Sequence, residues 1–259
     1  MITRHVPVAA GLTALALVLT LGAPAAAQEA GVAVVQPVVA SPTGASEVAT
    51  VRDLMAASGL APAPEEAPEP TVSTYNAFAG SLVRDHGLRI GVDPDSTLIT
   101  EARAWQIVSD MLQARTEPLP VDTLSTAVRT VLALDSALSE NLLDVDRAAE
   151  GLEELADLFE GLAAVRGLKT SFGRPSTIAS QRLGMLQVVS AYREHKRRHG
   201  LLSFGDQIAL ACRIAEGVPE AAEQVRAQYS AVLLDEFQDT SVAQARLLSA
   251  LFAGGGVTA

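Results

Sequence analysis

Apolar positions along the chain follow two different patterns. Between residues 100 and 200 they recur three or four residues apart, which is the spacing of one helix face. Thr100 can cap the first of these helices. The predicted inward face of that helix carries Trp105, Val108, Met111 and Leu112. Ala231–Leu234 is instead an unbroken apolar run, which predicts a short buried strand. The pattern therefore predicts an α/β protein that is dominated by helix.

Two adjacent carboxylates, Asp235 and Glu236, directly follow the predicted strand. In open α/β sheets, ligands bind in the crevice outside the carboxyl ends of the parallel strands. One carboxylate there can hold Mg²⁺, and its neighbour can position or deprotonate an attacking water. A solvated acidic turn is the alternative for a bare acid pair. The complete string D-E-F-Q-D-T favours the functional interpretation.

The first part of the chain changes character several times. Met1–Gln28 has a charged start, an apolar stretch and a small-residue cleavage site, which is the pattern of a secretory signal. Residues 29–70 are low in complexity or rich in proline, and they predict a linker that contains one short helix. Thr71–Gly80 predicts a strand that turns into a helix.

The net charge of −11 gives the chain no general attraction for nucleic acid, although a local basic face can still bind phosphate. A dense basic run, H-K-R-R-H-G, ends one of the predicted helices at Gly200. Its cations either complement the helix dipole or bind DNA phosphates through Lys196, Arg197 and Arg198. The single cysteine, Cys212, excludes an intrachain disulfide and is predicted to be a small core residue.

The strings T-V-S-T-Y-N-A-F-A-G and A-V-L-L-D-E-F-Q-D-T closely resemble motif Ib and motif II (Walker B) of the UvrD/Rep group of superfamily 1 DNA helicases. The resemblance implies that Asp235 binds the Mg²⁺ of Mg-ATP and that Glu236 activates the hydrolytic water. Mg²⁺ and ATP are the implied cofactors of the full-length family, and their binding is expected to be weak or absent in this chain. Single-stranded and duplex DNA, together with ATP, are the implied partners.

Motif Ib of this family touches single-stranded DNA, which implies such contacts for Thr74, Tyr75 and Asn76. Their hydroxyl and amide groups suit phosphate contacts, and an aromatic ring can stack on a base. The alternative is that Tyr75 and Phe78 are buried anchors of the strand-to-helix junction, and for Phe78 this alternative is favoured.

The resemblance also implies the fold, an incomplete RecA-like P-loop NTPase parallel sheet with an inserted all-helical subdomain. The predicted divisions are 1–28 as a signal-like or out-of-frame segment, 29–70 as linker, 71–90 as motor strand and helix, 91–200 as the helical insertion, and 201–259 as the Walker B segment of the motor. About 45 residues at the N terminus are expected to be foreign to the family.

The predicted function is that of a fragment of a cytoplasmic, ATP-dependent 3′–5′ DNA helicase. No glycine-rich loop ending in Lys-Ser/Thr is found in the sequence, and motifs III to VI are missing, so we expect no activity from the chain alone. The missing portions on a separate chain are a candidate partner, and no stable membrane partner is expected. The competing hypothesis is a non-catalytic helical module, a relic or an exported protein if Met1–Ala27 is a true signal peptide.

The predicted lack of neighbouring strands also leads to an expectation about the stability of the sheet. The strand Ala231–Leu234 is predicted to lack neighbours in the sheet, because the strand that bears the nucleotide loop is absent. The sheet is therefore expected to be looser than the helical insertion.

Overall fold

The computed structural model describes residues 31–35, 71–165, 168–229, 231–234, 240–252 and 256–258. In chain order the elements are β1 (Gly31–Val35), β2 (Thr71–Thr74), α1 (Tyr75–His86), a 3₁₀ turn (Gly87–Ile90), β3 (Thr97–Leu98), α2 (Glu101–Gln113), α3 (Leu124–Glu140), α4 (Val145–Ala164), α5 (Lys169–Arg198), β4 (Leu201–Leu202), α6 (Phe204–Gly217), α7 (Pro219–Gln228), β5 (Ala231–Leu234), α8 (Val242–Phe252) and β6 (Gly256–Thr258). The α/β class dominated by helix is therefore confirmed.

The chain forms two compact units. The helical unit includes Asp95–Gly205, where the sequence predicts an insertion at 91–200. The sheet unit consists of Ala27–Pro94 together with Asp206–Ala259. Within the described parts of both units, no helix is long and apolar enough to cross a membrane. The signal-like segment Met1–Gln28 lies outside the described residues.

Side-chain caps begin three of the helices in the helical unit. Thr100 accepts a hydrogen bond from the backbone N–H of Arg103 at the start of α2, as the sequence predicts. Thr123 and Asp144 cap α3 and α4 in the same way. These caps satisfy backbone donors that have no partner inside a helix, so the helix starts are set by local sequence.

The core of the helical unit is an aliphatic cluster built around α5. Its buried members include Val108, Val131, Leu138, Leu152, Met185 and Val189. Val108 and Leu112 face inward as predicted, but Trp105 is 38% exposed, so its predicted inward position is wrong. The three-to-four spacing marks a face about 100° wide, and a bulky ring at its edge is left partly in solvent.

The prediction that this unit is all-helical is also wrong, because β3 and β4 form a two-stranded parallel ladder. The ladder is extended by hydrogen bonds from Thr97 N to Gly200 O at 2.7 Å and from Ile99 N to Leu202 O at 2.8 Å. Gly200 reverses the chain between α5 and β4 at a φ of 59°, a conformation that favours glycine. The ladder joins the start of the unit to its end.

A buried ion network joins α3 to α5. Asp135 accepts hydrogen bonds from Arg193 Nε at 2.6 Å and from Lys196 Nζ at 2.7 Å. Arg193 also donates to Ser139 Oγ at 3.1 Å, and the Lys196 ammonium lies 4.7 Å from the Tyr192 ring centroid. Buried charges of this kind are tolerated because they are paired and hydrogen-bonded.

The sheet of the second unit has four strands in the order β2-β1-β5-β6. β5 and β6 are parallel, as predicted, but β1 runs antiparallel to both β2 and β5. The sheet is therefore mixed, and the prediction of a parallel sheet is corrected. Gly31–Val35 lies in the segment predicted as a linker, yet it supplies this central strand. The premise that β5 lacks neighbours is also wrong, since both of its edges are paired.

Four helices accompany this sheet in the described part of the same unit. Ala79, Leu82, Ile214, Leu247 and Leu251 are among their buried residues. Cys212 is buried as predicted, and its thiol donates a hydrogen bond to Ala243 O at 3.0 Å. Burial raises the pKa of this thiol to about 11, so it behaves as a core residue and not as a thiolate nucleophile at neutral pH.

The buried network predicts a large effect of Lys196→Met, which removes the charge but keeps an apolar side chain. Asp135 would lose one of its two cationic partners, and we expect a loss on the order of 3 kcal/mol in the free energy of unfolding. The measurement is urea unfolding followed by the fluorescence of Trp105, the only tryptophan of the chain.

Arg197→Ala is the matched control, because Arg197 is the next residue and is exposed. We expect its urea midpoint to equal that of the unmodified protein. Equal midpoints for Lys196→Met and Arg197→Ala would show that the network does not hold α3 to α5.

Candidate functional site

The predicted catalytic pair follows an inner strand of the sheet. β5 is paired with β1 on one edge and with β6 on the other, and Val232 is 1% exposed. Asp235 comes directly after Leu234, the last residue of β5; Asp235 and Glu236 themselves lie outside the described residues. The chain thus reaches the acid pair from a buried strand that is bonded on both edges.

The last residue of the D-E-F-Q-D-T string is anchored by a residue far away in sequence. The hydroxyl groups of Tyr75 and Thr240 are hydrogen-bonded at 3.2 Å. Tyr75 opens α1, so the helix after β2 holds the chain at the far end of the string. Sequence reasoning did not find this contact, and no local pattern signals a pairing across 165 residues.

A reciprocal cap begins α8 immediately after Thr240. The backbone N–H of Gln244 donates to Ser241 Oγ at 3.2 Å, and the Ser241 N–H donates to Gln244 Oε1 at 2.8 Å. This is the capping-box arrangement, and the S-x-x-Q pattern in the sequence is its signal. The two ends of the acidic string are therefore held by β5 and by the start of α8.

The three residues predicted to touch DNA from motif Ib have different environments. Thr74 caps α1, since its hydroxyl accepts from the Ala77 N–H at 3.1 Å. Tyr75 is only 2% exposed, so its ring offers no stacking face to a base and that part of the prediction is corrected. Asn76 is partly exposed, and its DNA contact stays a prediction.

Phe78 is buried as the alternative interpretation predicts, and it packs edge-on against Tyr229 with ring centroids 6.3 Å apart. Burial raises the pKa of the Tyr229 hydroxyl. Tyr229 precedes β5 and Thr240 ends the D-E-F-Q-D-T string, so α1 contacts the chain at both ends of the Walker B-like segment.

The predicted basic cluster does not act as one surface. Lys196 is 2% exposed and paired with Asp135, which removes it from contact with a DNA phosphate. Arg197 and Arg198 are exposed, and both donate to Glu194 at 2.7–2.8 Å. Hydrogen bonds from these two arginines, Arg197 first, lower the pKa of Glu194 to about 2. Arg197 and Arg198 thus remain as accessible cations, partly compensated by one carboxylate.

The predicted metal ligand, Asp235, lies outside the described residues. Among the side chains that are described, no group of three or more His, Cys, Asp or Glu residues is arranged to hold a metal ion. The remaining metal hypothesis therefore rests on Asp235 and Glu236.

The UvrD/REP helicase N-terminal domain model matches residues 16–258 of this chain. The chain belongs to the UvrD/REP helicase family. The match begins well before the predicted boundary near residue 45, so it revises that boundary and includes β1 in the family region.

Two curated helicases illustrate the similarity. The ATP-dependent DNA helicase PcrA of Staphylococcus aureus (strain Mu50 / ATCC 700699) is 23% identical over 180 residues, which cover 70% of this chain and 21% of PcrA. An ATP-dependent helicase/nuclease from Streptococcus pneumoniae (strain Hungary19A-6) is 34% identical over 70 residues, which cover 27% of this chain and 6% of that protein. The UvrD/REP chain described here therefore spans about a fifth of the length of PcrA.

The Tyr75–Thr240 hydrogen bond predicts an energetic coupling between the two motifs of this UvrD/REP chain. Tyr75→Phe and Thr240→Val each remove one hydroxyl and keep the side-chain shape. We expect a coupling energy of about 1 kcal/mol from a double-mutant cycle, measured by urea unfolding and far-UV circular dichroism.

Tyr229→Phe is the control for removal of a tyrosine hydroxyl in the same unit. It should show no coupling to Thr240→Val, because Tyr229 packs through its ring against Phe78. Additive effects of Tyr75→Phe and Thr240→Val would contradict the coupling.

Proposed function

We propose that this chain forms part of the motor of an ATP-dependent DNA helicase that moves 3′ to 5′ along single-stranded DNA in the cytoplasm. The observation that carries the proposal is the family match over residues 16–258, joined to an inner strand that ends directly before Asp235 and Glu236. The parallel β5–β6 pair is compatible with a RecA-like sheet, which forms part of the same proposal.

The donor chemistry of the acid pair fits Mg²⁺. Carboxylate oxygens are ligands that this cation prefers, and a strand end is a rigid place from which to present them. We assign Asp235 as the metal ligand and Glu236 as the base that positions and deprotonates water. The bound metal would supply charge neutralisation for a phosphate group.

The residues present fit the triphosphate of ATP less well than they fit Mg²⁺. Phosphate cradles of this type use glycine-rich backbone and a lysine, and the sequence contains no such loop. We therefore propose that groups outside this chain complete the nucleotide site. Under this proposal the chain binds the metal by itself, whereas ATP hydrolysis requires the added groups.

DNA contact is assigned to exposed polar groups in each unit. In the sheet unit the candidate is Asn76, next to the Thr74 cap. In the helical unit the candidates are Arg197 and Arg198, whose guanidinium groups are exposed at the end of α5. Binding through such groups is electrostatic and independent of sequence.

The metal assignment predicts that the isolated chain binds Mn²⁺, used as a paramagnetic substitute for Mg²⁺, and that Asp235→Asn abolishes the binding. The readout is the free Mn²⁺ signal in electron paramagnetic resonance. Asp157→Asn is the control, because Asp157 is an exposed acid on α4. Equal losses in the two variants would indicate nonspecific binding to an acidic protein and contradict the proposed site.

The same chain should show no DNA-stimulated ATP hydrolysis above background, because no lysine cradle holds the phosphates. Phosphate release is measured with and without a single-stranded oligonucleotide. Turnover that disappears in Glu236→Gln would show that the chain hydrolyses ATP without added groups.

The DNA assignment predicts a salt effect. Replacing Arg197 and Arg198 by Ala should reduce the slope of log affinity against log salt by up to about 1.4, at ~0.7 for each lost single-strand phosphate contact. Affinity for an oligothymidine is measured by fluorescence anisotropy across a salt series. Arg174→Ala, which removes an exposed cation elsewhere on α5, should leave the slope unchanged. The same slope in the unmodified protein, the double variant and Arg174→Ala would exclude phosphate contacts by Arg197 and Arg198.

A further inference from the structure

Three basic side chains lie at the end of α5, and a fourth, on α2, acts on one of them through its charge. His195 and His199 lie one turn apart, and their rings are stacked with centroids 4.2 Å apart. Arg198 is on the same turn, and Arg103 on α2 lies close enough that its charge acts on His195. His199 Nδ1 donates to His195 O at 2.8 Å, because a carbonyl can only accept. Nε2 of His199 is then the nitrogen that can gain a proton.

Positive charge exceeds negative charge in this group. Arg103 is exposed, and its guanidinium group donates a hydrogen bond to the neutral amide of Gln106 at 2.8 Å. Glu194 is the acid paired here, and it is shared between Arg197 and Arg198. The other acid bonded to this part of α5, Asp135, is paired with Arg193 and Lys196 on the buried side. β4, which packs on the end of α5, carries Leu201 and Leu202, whereas α2, which also packs against α5, carries the exposed acids Glu101 and Asp110.

Burial and the neighbouring basic groups act on His195 in the same direction. Burial lowers its pKa, and the neighbouring His199, Arg103 and Arg198 lower it further. The imidazole is therefore kept neutral at pH 7 while no anion is bound. An anion placed among these groups would reverse the charge effect and favour the protonated imidazole.

We propose that Arg103, His195, Arg198 and His199 form a phosphate-binding site that takes up protons when it engages the backbone of a single-stranded nucleic acid. The identification of the ligand rests on the proposed function, whereas the phosphate chemistry rests on the cluster itself. Phosphate suits the cluster because it is an anion with several acceptor oxygens, and the arginines and protonated imidazoles present only donors.

The direction of the pH dependence follows from proton linkage. A histidine whose pKa is higher in the bound state than in the free state strengthens binding at low pH. That gain is lost as the pH rises through the pKa of the bound state. Glu194 stays ionised throughout, since its pKa is about 2. Imidazole is the type of side chain that changes charge between about pH 8 and pH 6, whereas arginine stays charged throughout this range.

The test uses the full chain and an oligothymidine labelled with a fluorophore, with anisotropy measured at constant ionic strength. Between about pH 8 and pH 6 we expect affinity to rise roughly fivefold or more, as expected for uptake of about one proton. His195→Gln together with His199→Asn should remove this dependence. His86→Asn, which changes a histidine in the sheet unit, should preserve it. A pH dependence that is absent, or that survives in the double variant, would overturn the proton-linked site but leave the helicase proposal intact.

A second measurement separates the two proposals. Inorganic phosphate is titrated against the imidazole NMR signals of His195 and His199, with the His86 signal as the internal control. Phosphate shifts at the first two, without oligothymidine binding at any pH, would support the phosphate site and contradict DNA binding by this chain. If neither phosphate shifts nor oligothymidine binding is observed, both the phosphate site and DNA binding by this chain are overturned.

Discussion

The sheet unit depends on the requirement that a buried strand bonds its backbone groups on both edges. β5 meets this requirement through antiparallel pairing with β1 and parallel pairing with β6. Asp235 and Glu236 follow β5 directly, so the placement of the acid pair depends on these two neighbours. The anchoring of Thr240 by Tyr75 then restrains the chain beyond the acids. The chemistry that we assign to two carboxylates thus rests on a strand from residues 31–35 and on a tyrosine from motif Ib.

In the helical unit, electrostatics and helix geometry divide one basic run into parts with different roles. Successive residues of a helix are about 100° apart, so neighbours in sequence face different directions. Lys196 continues the buried stripe of Met185, Val189 and Tyr192 and meets Asp135. Arg197 and Arg198 point to solvent, whereas His195 and His199, four residues apart, stack on each other. The basic run that looks like a single patch in the sequence therefore has three parts in the structure. Lys196 pairs with Asp135 in the core, Arg197 and Arg198 are exposed cations, and the rings of His195 and His199 stack on each other.

Local signals explain what sequence analysis could predict. The Thr100 cap, the aliphatic stripes and the apolar strand before Asp235 depend on residues that are near each other in the chain, and they are found where they were predicted. The buried positions of Lys196 and Asp135 could also have been inferred, because each stands where the helical spacing predicts an apolar core residue. Opposite charges at such positions on two helices indicate a buried pair.

The parts that sequence analysis missed depend on contacts between distant segments. Gly31–Val35 shows no convincing period, and its role as a strand comes from the open edges of β2 and β5. Tyr75 is an aromatic residue of the kind that can stack on a base, but its side chain is buried and hydrogen-bonded to the Thr240 hydroxyl. Trp105 lies at the edge of a predicted face whose width only the packed neighbours determine.

The central claim is that β1 and β6 make β5 a stable inner strand, and amide hydrogen exchange tests it most directly. The account predicts that the amides of Val232–Leu234 are protected to an extent comparable with those of Ile107–Leu112 in α2. It also predicts that Ala33→Pro, which removes a backbone N–H from β1 at the position in register with Leu233, lowers protection in β5 and leaves α2 unchanged. Rapid exchange in Val232–Leu234 of the unmodified chain, or protection that is insensitive to Ala33→Pro, would contradict it.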